Sequence, residues 1–139
     1  MAVAIYSIKV KTKGECDIVN LTDAVAEVVA KSELKNGMVL TFVPGSTGGI
    51  TTIEYEPGLL QDLPALYQKL IPKGPAYEHD QTWGDGNGFS HLRAALTGAS
   101  FTCPLAEGRL LLGTWQQIVL LDFDNRPRNR EIVVQIVGE

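Results

Sequence analysis

The sequence predicts an α+β fold: a largely antiparallel β-sheet or sandwich with two main helices and one short helix. Three observations carry this reading. Residues 3–12 alternate in polarity at the period of a strand, residues 21–35 and 59–70 repeat apolar side chains at helical spacing, and the chain from Ser100 onward is mostly β-rich. Strand runs beside separate helices, with no regular β-α-β alternation, indicate α+β rather than α/β. The 139 residues read as a single domain, 1–139, without repeats, low-complexity tracts or linkers. A chain of this size buries roughly two-thirds of the surface its unfolded form exposes, so a core forms without disulfides or a structural metal.

In the first strand Tyr6, Ile8 and Val10 form the apolar face, opposite Ile5, Ser7 and Lys9. Lys13-Gly14 turns the chain, and Cys16 to Val19 can pair back. Asn20-Leu21-Thr22-Asp23 opens a helix: Asn20 or Thr22 can cap its free N–H groups, and Asp23 suits its positive end. Leu21, Val25, Val28, Val29 and Leu34 make the apolar stripe, Lys31 and Lys35 fill the last turns, and Asn36-Gly37 stops the helix. Met38 to Val43 is apolar without strict alternation, the pattern of a strand buried on both faces. Pro44 to Gly49 interrupts it, and Ile50 to Tyr55 resumes a β-rich stretch. Pro57 begins a second helix, with Leu59, Leu63, Leu66 and Leu70 on one face; Pro64 fits only near its start or at a kink, and Pro72 and Pro75 end it. Residues 74–90 read as irregular, centred on Gly84-Asp85-Gly86-Asn87-Gly88. Ser90 can cap a short helix from His91 to Thr97, stopped by Gly98. Strands follow at Ser100–Pro104, Arg109–Leu112, Thr114–Phe123 and Glu131–Val137, the last two joined by a loop over residues 124–129.

Charge and cysteine usage narrow the function. Twelve Lys and Arg against sixteen Asp and Glu leave a net charge of −4, which argues against nonspecific nucleic-acid binding. No apolar run approaches the roughly 20 residues of a membrane span. The longest, Leu110 to Leu121, is broken by Gly113, Thr114, Gln116 and Gln117. The first residues lack the basic and apolar regions of a signal peptide, so a cytoplasmic protein is expected. Cys16 and Cys103 fit no CxxC pattern and read as buried free thiols in a reducing compartment.

Three stretches can carry chemistry. Pro44-Gly45-Ser46-Thr47-Gly48-Gly49 can turn backbone N–H groups toward a phosphate or pyrophosphate; it lacks the GK[ST] of a P-loop and also fits a tight loop between strands. His79 and His91, the only histidines, flank Asp80, Asp85 and Asn87. They suit a divalent ion such as zinc, acid–base work near neutral pH, or plain structural hydrogen bonding. In the third stretch Arg109 can grip a phosphate or pair with a surface acid, and Gly113, Thr114 and Trp115 can line a pocket, although such a Trp also suits a core or an interface. Glu54 and Glu56 are further acid candidates, Glu56 the more readily read as solvated.

Taken in order, Tyr77-Glu78-His79-Asp80, Ser90-His91-Leu92-Arg93-Ala94, Gly98-Ala99-Ser100, Gly108-Arg109-Leu110, Gly113-Thr114-Trp115-Gln116 and the final Val134 to Glu139 resemble the YjbQ-like family. The resemblance covers nearly the whole chain. It implies an α+β homotrimer with a site near a subunit boundary. It also implies a secondary thiamine-phosphate-synthase activity, joining a hydroxymethylpyrimidine pyrophosphate to a thiazole phosphate with loss of pyrophosphate. On that reading His79, His91 and Asp80 are catalytic, and Gly45, Ser46, Thr47, Gly48, Arg109 and Thr114 hold phosphate. His79, His91 and Asp85 hold a divalent metal, zinc or magnesium. Where many members carry a His-Thr pair this chain has Gly45, then Ser46 and Thr47. Where many carry an acid after the His-Asp pair it has Gln81-Thr82-Trp83. A three-His site is thereby reduced to two, with Asp80 or Asp85 as replacement ligand and Trp83 expected to insert in place of the lost acid. A noncatalytic trimer that binds a phosphorylated metabolite is the alternative.

Overall fold

A computed structural model describes residues 1–139 as two antiparallel sheets and four helices. The elements run β1 (Ala2–Thr12), β2 (Asp17–Asn20), α1 (Thr22–Ser32), β3 (Gly37–Phe42), β4 (Gly48–Ile53), α2 (Pro57–Leu70), α3 (Glu78–Trp83), α4 (Gly88–Thr97), β5 (Ser100–Ala106), β6 (Arg109–Leu110), β7 (Gln117–Asp122) and β8 (Arg128–Gly138). One sheet has the order β1-β8-β3-β5-β6, and the other β2-β7-β4. β8 therefore sits inside the larger sheet, with β1 paired along its whole length on one side and β3 on the other.

The layers follow from which residues are apolar on which face. The main core joins Leu21, the residue before α1, and Val25, Val28 and Val29 of α1 to Val39, Leu105, Ile132, Val134 and Ile136 of the larger sheet and Ile118 and Leu120 of β7. A second core lies on the other side of β7, where Val119, Leu121 and Phe123 meet Tyr67 of α2 and Ala94 of α4. β7 is thus enclosed on both faces. Arg93 fastens α4 to α2: it is buried, donates from Nε to the Ile71 carbonyl at 2.9 Å and from Nη2 to Gln68 Oε1 at 3.0 Å, and stands over the Phe89 ring. α4 crosses so close to β4 that a Cβ at position 49 would lie 2.7 Å from Thr97 Cγ2, which is why Gly49 stands there.

Several local expectations are corrected. Residues 74–90 contain a helix, α3, whose entry is fixed by Asp80, and α4 starts at Gly88 rather than His91. Ser90 lies inside α4 and turns its hydroxyl to the Phe123 carbonyl, so it caps nothing. Asn20 accepts from the Thr22 N–H, while Thr22 Oγ1 accepts from the Ile118 N–H; the α1 cap itself, Leu21, has no side-chain bond. Glu56 is the cap of α2, its carboxylate accepting from the Gly58 and Leu59 N–H groups. Along α2 the buried anchor is Tyr67, whereas Leu66 and Leu70 are exposed. Residues 111–116 belong to no strand, and β3 is buried on one face only. The outer face of the larger sheet presents Val3, Ile5, Met38 and Phe42, all exposed, beside Leu40, Val133 and Val137. Cys16 and Cys103 are buried free thiols, and burial pushes Cys16 up to about 11, so its nucleophilic thiolate is scarce at neutral pH. No helix is long and apolar enough to cross a membrane.

Candidate functional site

The loop between β3 and β4 and the first half of α4 face one another across a cleft of about 280 Å³. Gly45, Ser46 and Gly48 form one wall; His91, Ala94 and Ala95 form the other. Small side chains on α4 leave the space open. Ile50 donates its N–H to the Gly98 carbonyl, away from β7. Gly48 precedes it by two residues and so turns its N–H to the same side, toward the cleft. The Ser46 N–H meets no acceptor within the chain. The wall is therefore made of backbone donors, short side chains and an imidazole, an arrangement suited to an anion.

His79, on α3, stands behind His91 and does not line the cleft itself. Its ring lies 4.3 Å from that of His91, centroid to centroid. Asn87 stands between His79 and Asp85. A carboxylate can only accept, so the Asn87 amide points its NH₂ at Asp85, 2.9 Å away, and at His79 Nε2, 3.0 Å away. In this arrangement His79 Nε2 accepts, and the neutral ring carries its proton on Nδ1. Asp85 itself is 3.7 Å from His79 Nε2.

Asp80 does different work. One carboxylate oxygen accepts from the Tyr77 N–H at 3.0 Å and the other from the Gly88 N–H at 2.8 Å. These backbone bonds hold its carboxyl below the usual range. It ties the start of α3 to the start of α4, which brings the two histidines together; its oxygens are committed to the backbone.

Thr47 lies beneath the loop rather than in the cleft. It is buried, and its hydroxyl accepts from Arg130 Nη2 at 2.7 Å and donates to Asp124 Oδ2 at 3.2 Å. Asp122 anchors the same network: it takes both Nε and Nη2 of Arg130 at 3.0 Å, and the Thr12 hydroxyl and the Asp124 N–H. Burial alone would push the Asp122 carboxyl up, but these bonds outweigh it and hold it below the ordinary carboxylate range. Sequence reasoning missed Asp122, Asp124 and Arg130. The available signal was a carboxylate closing the apolar run Ile118-Val119-Leu120-Leu121, a place where only a paired charge is stable.

The remaining candidates lie apart. Arg109 is exposed, 3.7 Å from Glu107, and pairs with the far end of β5, opposite Ala106. The cleft abuts the near end of β5 at Gly98 and Ala99, roughly 20 Å of strand away. Thr114 lines a different depression with Glu54, Tyr55 and Trp115. Trp83 is 74% exposed, which removes the expectation that it inserts into the site. No three His, Cys, Asp or Glu side chains are grouped to hold a metal.

The family model for UPF0047 protein YjbQ-like matches residues 6–139. The chain belongs to this family. It is 40% identical over 125 residues to a UPF0047 protein of Archaeoglobus fulgidus, covering 90% of this chain and 94% of the relative. A UPF0047 protein of Methanocaldococcus jannaschii is 33% identical over 136 residues, covering 97% and 95%. The crystal structure of a YbjQ-like protein of unknown function from Sulfolobus solfataricus superposes with a TM-score of 0.89 at 34% identity, covering 99% of this chain and all of the other. A hypothetical protein from Aeropyrum pernix gives 0.91 at 30% identity, covering 98% and 99%. These likenesses establish the YjbQ-like fold, and the names they carry assign no reaction.

Proposed function

We propose that this YjbQ-like chain is the subunit of a homotrimeric transferase acting on phosphorylated substrates, of the thiamine-phosphate-forming type that the family resemblance implies. The observation that carries the reading is the meeting of the Gly45–Gly48 loop and His91 on one cleft, with His79 stacked behind. In this proposal the Ser46 and Gly48 N–H groups receive phosphate oxygens as charge develops on departing pyrophosphate. His91 gives that group a hydrogen bond or a proton, and His79, held by Asn87 and Asp85, fixes the ring beside it. A divalent cation, zinc or magnesium, belongs to the same reading. His79, His91 and Asp85 would hold it after Asn87 is displaced from His79 Nε2, and it would neutralise pyrophosphate charge.

Trimer formation draws support from the outer face of the larger sheet, whose exposed Val3, Ile5, Met38 and Phe42 suit burial against other copies of the chain. Purified protein supplied with hydroxymethylpyrimidine pyrophosphate and thiazole phosphate is expected to form thiamine phosphate, and His91→Ala to abolish it. Product formed equally by the variant would remove the site assignment. Elemental analysis of native protein beside His79→Ala and His91→Ala tests the cation. A noncatalytic trimer that binds a phosphorylated metabolite is the second reading, favoured by the lack of a three-ligand cluster within the chain. Saturable binding without product would select it.

A further inference from the structure

We infer that Arg130 is a positioning residue for the anion loop: it aims the Ser46 N–H by holding the chain on either side of it, and acts through the loop rather than on the ligand. This deepens the anion-binding reading of the His91 cleft and rests on it. Free backbone donors bind an anion well only when they stay aimed, and loops are the mobile part of a fold. Ser46 carries such a donor, for its N–H meets no acceptor within the chain. Its neighbours are fastened. Gly45 donates its N–H to the Val43 carbonyl at 3.0 Å, and the Thr47 carbonyl accepts from the Phe123 N–H at 2.9 Å.

The guanidinium fixes the same stretch from below. It is planar, with Nε and Nη2 on one edge and Nη1 and Nη2 on the next. Asp122 takes the first edge, accepting from Nε and from Nη2 at 3.0 Å each. The second edge meets the loop. Nη2 donates to the Thr47 hydroxyl at 2.7 Å, and Nη1 lies against Gly45, where a Cβ would stand 2.9 Å from it. One rigid group therefore abuts residues 45 and 47, with Ser46 between them, and the glycine is what lets it come so close. Behind it, Asp122 belongs to β7, the strand enclosed on both faces. Stability alone does not account for this pair, because apolar side chains of similar volume often replace a buried ion pair without loss. Apolar side chains do not supply a fork that holds a loop at two points, and neither does a lysine.

Arg130 also ties the core together, so the informative variant is Thr47→Val. It removes the link between guanidinium and loop at nearly constant shape, while Arg130 keeps Asp122 and Asp124 keeps Arg128. Calorimetric titration of the whole protein with pyrophosphate is expected to show binding about tenfold weaker in Thr47→Val, and within about twofold of native in Thr47→Ser, which retains the hydroxyl. A lower melting temperature in Thr47→Val with unchanged pyrophosphate affinity would mean that Arg130 serves the fold alone, and would overturn the inference. The native protein gives a second readout. On addition of pyrophosphate the nuclear magnetic resonance signal of the Arg130 Nε–H should shift along the same saturation curve as the Ser46 amide. An Nε–H signal that stays in place while Ser46 moves would also overturn it. Native protein that binds pyrophosphate but forms no thiamine phosphate would remove the transferase reading and leave this role standing. Native protein that binds no pyrophosphate would remove both.

Discussion

β3 and β7 carry the same sequence signature, an apolar run without alternation, and end in different surroundings. β7 is covered on one face by α1 and the larger sheet and on the other by α2 and α4. β3 buries Val39 and Thr41 inward, while Met38 and Phe42 on its outer face stay 57% and 37% exposed. A strand that is apolar on both sides specifies that both faces will be covered. It does not specify that one chain supplies both covers. In β7 the folded chain meets the demand alone; in β3 half of it stays open to solvent.

The contrast can be broken most forcefully in β7. Asp122→Asn leaves Arg130 buried without its counter-charge, and the expected loss is about 3–5 kcal/mol in denaturant unfolding. The same pair sets an acid limit. Asp122 is held below its ordinary range in the folded chain, so its contribution is full above about pH 4 and lost as pH falls through the lowered value. A loss near zero on Asp122→Asn would show that β7 is no more enclosed than β3. On β3 the informative change is Leu40→Asp, on the outer face. The subunit should keep its far-ultraviolet circular dichroism, with roughly 0.5 kcal/mol or less lost. Light scattering should show the proposed trimer reduced to single chains. Native protein that is already monomeric at micromolar concentration would break the comparison outright. The smallest effect is expected inside β3, where Thr41 Oγ1 is enclosed without a partner. Thr41→Val should stabilise by about 1 kcal/mol, because it removes an unsatisfied hydroxyl at nearly constant shape. A loss there would mean the hydroxyl has a hydrogen-bond partner in the core.

Much of the fold was legible because period-2 and period-3.6 patterns report burial directly. The first strand, α1 with its Leu21–Val29 stripe, and the long final strand follow from those patterns. The segment around α3 was not legible. Its order comes from Asp80 bonding the backbone N–H groups of Tyr77 and Gly88 on either side of it, and a glycine-rich stretch gives no periodicity to announce that. Within the site, Gly45, Ser46, Gly48 and His91 were readable as residue types and do meet on the cleft, and His79 lies against His91. Thr47 has the right type, but its side chain turns beneath the loop to Arg130 and Asp124. Arg109 and Thr114 were grouped with them by the family resemblance and their suitability for phosphate, and the length of β5 keeps Arg109 away.

The interior position of β8 also bears on how the chain is made. Residue 2 pairs with residue 138, and β3 takes its other neighbour from the same late segment. Until residues 128–138 have emerged from the ribosome, β1 and β3 have no strand to share. Closing those contacts requires bringing together the most distant parts of the sequence, the slow kind of step for a folding chain. The larger sheet is therefore completed only after synthesis has passed residue 138. Its earlier strands, with their apolar faces and open edges, must wait in a form that neighbouring chains can reach.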